Sequence, residues 1–221
     1  MDAILLQFFN LDIMRQAAPL VLQGLGMTLM VCCAVIPLGL VGGLIVALGS
    51  RARSRLARGL LAGFIDVLRA LPPLVLLIAI SAGLPFAGIR LSPFACVTLA
   101  LFLNTSAYYG EVYRAGLDSV SHGQWEAARC TGLSASQAMF YVIIPQAVRN
   151  VLPDLVSNTV EVVKLTSLAS VVALPEMLYS ADMARSLTFN SSPIMLAALI
   201  YLALLWPVVR LMSRLEHRLG T

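Results

Sequence analysis

The chain has 221 residues, of which 59% are hydrophobic and only 12% charged, with a net charge of +4 and a mean hydropathy of +0.88. Soluble domains carry about 25% charged residues, so this composition excludes an ordinary soluble domain and points to an integral membrane protein. A bilayer core takes about 20 apolar residues per helix, so the length allows roughly five spans in a single transmembrane domain and no large extramembrane one.

In chain order, residues 1–14 carry Asp2 and Asp12 and no basic n-region, which argues against a signal peptide. The run ILLQFFNLDIM is expected to form a short interfacial helix. No charge occurs between Arg15 and Arg51, and the first span is expected over residues 20–48. Its Gly24, Gly26, Gly39, Gly42 and Gly43 suit close helix packing in lipid, and Pro37 is expected to kink it. The second span is expected over 59–81, with Asp66 and Arg69 in its first turns. The loop GLPFAGIRLSP follows, then the third span over 93–114. A polar hairpin occupies 121–145, the fourth span 152–174, and the fifth 194–212 after the loop PEMLYSADMARSLTFNSSP.

Five spans place the termini on opposite sides. Arg51, Arg53, Arg55, Arg58, Arg114, Arg129, Arg149, Arg210, Arg214 and Arg218 then share one side, against Arg15, Arg90 and Arg185 on the other. The positive-inside rule makes the arginine-rich side cytoplasmic, with the N-terminus outside and the C-terminus inside. Basic residues that flank apolar runs fit membrane orientation better than nucleic-acid binding. Cys32, Cys33, Cys96 and Cys130 show no ligand spacing, and His122 and His217 are isolated, so no metal site is indicated.

Asp66/Arg69, Glu111/Arg114, Glu126/Arg129, Glu161/Lys164 and Asp182/Arg185 each place an acid three residues before a base, where helix neighbours can pair. Most lie at membrane borders. Glu161 and Lys164 fall within the fourth span, beside Asn158, Thr166 and Ser167. Charges at that depth mark a pathway or, in the plainer reading, an ion pair buried between helices. Asn158, Glu161 and Leu165 lie on one helical face. Asn104 and Tyr108 of the third span complete the set of candidate pathway residues. A gradient-driven transporter or channel could use Glu161 and Lys164 as a relay, but no inverted repeat is visible.

The hairpin has its own punctuation. Ser121 with Gln124 has the form of a capping box, and a helix is expected over 122–130. Gly132 can stop it in a left-handed conformation. Ser134 with Gln137 repeats the signal, and a second helix should run to about Ile144, where Pro145 disrupts or ends it. Ala127 and Ala128 keep one face thin, and Trp125 and Phe140 offer aromatic anchors.

The stretch EAARCTGLSASQAMFYVIIP resembles the EAA motif of permease subunits of ATP-binding-cassette importers, at Glu126, Ala127, Ala128, Gly132, Val142, Ile144 and Pro145. GEVYRAGLDSVSHGQWEAA, PQAVRNVLPDL and VVKLTSLASVVALPEML resemble the polar amino acid uptake branch, and DVLRALPPLVLL does so more loosely. The resemblance implies an all-α type I importer permease with five transmembrane helices, in a bacterial inner membrane. It implies that the hairpin is the coupling helix, docking a separate ATPase dimer through Trp125, Glu126, Ala127, Ala128, Arg129, Gly132 and Pro145. It further implies a second permease, identical or related, and an external solute-binding protein. ATP and its magnesium belong to the ATPase subunit, in keeping with the lack of a G-x-x-x-x-G-K-[ST] loop here. Two departures stand out. Arg69, Ala70, Leu71 and Pro72 replace the family's Arg-Gly-Thr-Pro, and Leu165 stands where an acid is common. The second argues against a cationic amino acid as the solute.

Overall fold

A computed structural model describes the backbone of residues 2–219 and the side chains of residues 4–214. The expectations for His217 and Arg218 as side chains lie outside the described residues. Among the described residues the regular structure is entirely helical.

Helix α1 (Asp2–Phe8) leads into α2 (Leu11–Gly49). Asn10 starts α2 by accepting from the backbone N–H groups of Asp12 and Ile13 at 3.1 and 3.3 Å. α2 then runs unbroken through Pro19 and Pro37. Its 39 residues span about 58 Å at ~1.5 Å per residue, well beyond the ~30 Å hydrocarbon core.

α2 packs along α5 (Pro93–Asp118) through small residues. A Cβ on Gly43 would stand 2.9 Å from the Gly110 backbone nitrogen, and one on Gly39 would collide with the side chain of Thr105. Side-chain-free surface is what lets these helices touch. Gly26 departs from the expected pattern, since it is exposed and nothing lies within 4 Å of its Cβ position.

The second expected span is broken. α3 (Arg55–Ala70) and α4 (Pro73–Gly83, extended by a 3-10 turn over Leu84–Ala87) meet at 102°. Leu71 and Pro72 each precede a proline, which disfavours helical dihedrals. Both residues are extended, with ψ of 129° and 132°. Asp66 and Arg69 therefore sit beside an elbow at the end of α3, not in the opening turns of a straight span.

α6 (His122–Cys130) and α7 (Ala135–Ala138) form the polar hairpin. α7 does not end at Pro145. It passes through a π turn over Met139–Ile143 into α8 (Ile144–Leu165), with Pro145 in the first turn of α8. The wider π turn relieves the clash that a proline ring makes with the carbonyl four residues earlier. A 3-10 segment over Thr166–Val172 ends this stretch. α9 (Met177–Thr188) and α10 (Ser192–Leu219) follow.

Hydrogen bonds tie the two ends of the bundle. At one end Asn190 Nδ2 donates to the Leu6 carbonyl and the Asn10 N–H donates to Ser192 Oγ, each at 2.9 Å. At the other Arg51 pairs with Asp118, and Asn150 Nδ2 donates to Ser119 Oγ at 2.8 Å. Between them an apolar core joins Val31 and Val35 of α2, Leu77 of α4, Val97 and Leu101 of α5 and Val162 of α8. A second joins Val21 to Met177 and Ala181 of α9 and Ala197 of α10.

Among the described residues, Ile4–Gly49, Ala135–Val172 and Ser192–Arg214 are long and apolar enough to cross a membrane, and the bent α3–α4 pair makes a fourth candidate. α5 is not in this group. Its polar run of Asn104, Thr105, Ser106 and Tyr109 is buried inside the bundle, where helix neighbours replace lipid.

α9 is held by a buried acid that the sequence did not single out. Glu176 is fully buried and accepts from the Leu178 and Tyr179 N–H groups at 2.9 and 2.7 Å. Burial pushes its carboxyl above the usual range, against the pull of those two N–H groups.

Candidate functional site

The polar hairpin projects Glu126, Ala127, Arg129 and Gly132 into solvent, while Ala128 is buried against its own chain. Gly132 has a φ of +88°, the left-handed stop that only glycine adopts freely. Arg129 Nη1 donates to the Leu133 carbonyl at 2.6 Å and braces this turn. Ser134 and Gln137 form the full capping box, with bonds of 3.2 and 2.8 Å.

Other local expectations fail here. Ser121 occupies the N-cap position of α6 but makes no side-chain cap bond. The Gln124 side chain instead accepts from Gln146 Nε2 at 3.4 Å, tying α6 to α8. Glu126 pairs with His122 at 3.1 Å, not with Arg129. Trp125 is half-buried in a crevice of about 540 Å³ shared with Arg51, Asp118, Met139 and Ile143. The free aromatic surface belongs to Phe140 and to Tyr141, which sequence reasoning passed over.

A second feature lies deeper. Asn104 and Tyr108 of α5 and Asn158 and Glu161 of α8 line one cavity of about 270 Å³. Leu165 lies on the same wall, as its helical spacing requires. Pro73, Thr105, Tyr109 and Val162 also line it. Tyr109 and Thr159 bridge α5 and α8 through a hydroxyl contact of 2.9 Å. The signal for Pro73 and Tyr109 in the sequence was adjacency to the elbow and to Tyr108.

The remaining pathway candidates are elsewhere. Thr166 is fully buried and spends its hydroxyl on the Val163 carbonyl at 2.7 Å. Ser167 donates to the Lys164 carbonyl, and both line a separate cavity of about 280 Å³ with Leu178 and Tyr201. Glu161 and Lys164 form an ion pair, but each side chain is 53% exposed. The pair is thus not enclosed by helices of its own chain. Its two members open onto different cavities.

Charged side chains run from the hairpin crevice toward this region. Arg51 and Arg114 both bind Asp118, and Arg114 also binds Glu111. Arg69 stands 3.9 Å from Glu111 and 5.6 Å over the ring of Tyr108, a cavity residue. Asp66 makes no ion pair with Arg69, because Arg69 turns to α5.

Comparison with known proteins identifies this arrangement. The family described as "Binding-protein-dependent transport system inner membrane component" matches residues 39–221. The "Probable amino-acid ABC transporter permease protein YckA" of Bacillus subtilis (strain 168) is 34% identical over 197 residues, 89% of this chain and 87% of that one. The "Probable glutamine ABC transporter permease protein GlnM" of the same organism is 40% identical over 157 residues, 71% of this chain and 73% of that one. A solved structure described as "Crystal structure of an amino acid ABC transporter with histidines" superposes with a TM-score of 0.87 at 34% identity, covering 93% of this chain and 96% of that one. Inward-facing MetNI methionine transporter crystals give a TM-score of 0.72 at 17% identity over 90% of this chain and 96% of that one, a likeness of fold alone. In such systems the permease is the transport component and the ATPase a separate subunit. The chain belongs to the family of binding-protein-dependent transport system inner membrane components, the permease subunits of ATP-binding-cassette importers.

Proposed function

We propose that this permease carries a polar amino acid, or a related small zwitterion, along a path that includes the α5–α8 cavity. The observation that supports this most is the cavity itself. Its volume of about 270 Å³ lies just below the roughly 300–1,000 Å³ of small-molecule pockets, which suits a small solute. Asn158 and Tyr108 offer hydrogen bonds to a solute, Glu161 is paired to Lys164, and Leu165 presents an apolar surface. A site with so little uncompensated charge favours an uncharged side chain over arginine or lysine.

In this reading five elements cross the inner membrane, near 20–48, 59–81 as the bent pair, 93–114, 152–174 and 194–212. The N-terminus is outside and the C-terminus cytoplasmic, in accord with the arginine bias. The hairpin docks the ATPase dimer through Glu126, Ala127, Arg129 and Gly132, with Trp125, Ala128 and Pro145 shaping it from behind. ATP and magnesium act on that dimer. A second permease, identical or related, faces this one, and an external binding protein delivers the solute.

Nucleotide-driven closure of the ATPases brings the two hairpins together and opens the permease pair outward. Hydrolysis resets it inward. The test is a ligand screen on the cognate binding protein followed by uptake in proteoliposomes of the whole complex. ATP-dependent uptake of a neutral polar amino acid is expected. Uptake restricted to a cationic amino acid, or to a solute that is neither an amino acid nor a small zwitterion, would overturn the assignment.

A further inference from the structure

The elbow between α3 and α4 leaves a debt in backbone hydrogen bonding. An α-helix continued past Ala70 would satisfy the Leu68 carbonyl with the N–H of residue 72 and the Arg69 carbonyl with that of residue 73. Both positions are proline and have no N–H. The last intrahelical bond is Leu71 N–H to the Val67 carbonyl, at 3.0 Å. Leu68 is itself buried, so its carbonyl has little access to water, and a buried acceptor without a partner is costly.

Asn104 supplies the missing donor. Its Nδ2 lies 3.3 Å from the Leu68 carbonyl oxygen, 36 residues away in sequence, and the residue is 2% exposed. A carbonyl only accepts, so the amide must turn its NH₂ to that side. The same side chain lines the cavity, as does Pro73 at the start of α4. Elbow, α5 and cavity wall therefore meet at one residue.

We infer that Asn104 is a positioning residue: it replaces the N–H that Pro72 lacks, fixes the elbow of the second span against α5, and thereby holds the α4 side of the cavity in shape. The inference rests on the pathway reading for its effect on transport, but its structural part stands apart from that reading.

Two measurements test it in the assembled transporter. In uptake, Asn104→Ala should lower the maximal rate roughly fivefold or more, the scale of a lost buried hydrogen bond, with little change in half-saturating solute. A raised half-saturation or altered solute preference would make Asn104 a solute ligand and overturn the inference, as would normal uptake. In pulsed electron-spin measurements, labels at exposed Leu60 of α3 and Ile78 of α4 report the elbow, with the four native cysteines replaced. Asn104→Ala should shift or broaden that distance, and an unchanged distribution overturns the inference whatever the solute proves to be.

Pro72→Ala provides the cross-check. It lets Leu68 find its donor within the helix, so adding Asn104→Ala to it should change uptake and distance less than Asn104→Ala does in the native background. If Asn104→Ala alone does not assemble, the double variant should regain assembly. Full additivity in the first case, or no recovery in the second, overturns the inference.

Discussion

Glu161 and Lys164 form an ion pair one turn apart on α8, yet Glu161 faces the cavity of Asn104, Tyr108 and Asn158 while Lys164 faces that of Ser167 and Tyr201. The carboxylate and the ammonium open onto two cavities, and charges within a span mark a pathway. The effect of the pair should therefore appear in transport before folding. Glu161→Gln is expected to change the half-saturating solute concentration severalfold in reconstituted uptake, with the melting temperature nearly unchanged. Unaltered uptake kinetics would reduce the pair to a structural ornament of α8.

The hairpin gives a separable prediction. Gly132→Val places a β-branched residue at a φ of +88°, which costs roughly 1–2 kcal/mol of local strain and re-aims the turn between α6 and α7. Glu126→Arg reverses an exposed charge without touching the core. Both should weaken co-purification of the ATPase and lower uptake, while membrane insertion stays intact. Normal co-purification of both variants would remove the hairpin from the docking surface.

The α2–α5 contact sets a stability prediction. Gly43→Val forces side-chain atoms into the Tyr109–Gly110 backbone, and overpacking of this sort costs about 1–3 kcal/mol or more. Thermal unfolding in detergent should show a clear loss. Gly26→Val, with open space around the Cβ position, serves as the control and should melt close to the parent. Equal melting of both variants would contradict the close approach of the two helices.

These contrasts show how far the sequence could be read. Gly132 and the Ser134/Gln137 box were legible because a cap depends on residues a few positions apart. The face shared by Asn158, Glu161 and Leu165 was legible from helical spacing alone. The elbow was written in Leu71-Pro72-Pro73, but hydropathy over 59–81 masked it, since an apolar average is blind to a change of direction. Ser121 failed as a side-chain cap because the Gln124 N–H it would accept bonds the Ser121 carbonyl at 3.0 Å, while the Gln124 side chain is drawn to Gln146. Pro145 disrupts the α-helix without ending it, because a π turn absorbs it. Arg69 left its neighbour Asp66 for Glu111 and Tyr108, a choice that exists only once α3 lies on α5.

Glu176 makes stability depend on pH in a defined direction. Its carboxyl is raised in the folded chain, chiefly by burial. A raised acid is most stabilising when protonated, so its contribution is full below the unfolded value near ~4.3 and is lost as pH rises through the higher folded value. Thermal stability in detergent should therefore fall across that window in the native chain and fall less in Glu176→Gln. Parallel pH profiles for the two would show that the buried carboxyl does not titrate with unfolding.

The most direct test of the whole account is solute uptake by proteoliposomes holding this chain with and without its ATPase and binding protein. The account predicts ATP-dependent uptake of a neutral polar amino acid by the complete assembly and none by this chain alone under an ion gradient. Gradient-driven uptake by the chain alone, indifferent to ATP, would contradict it.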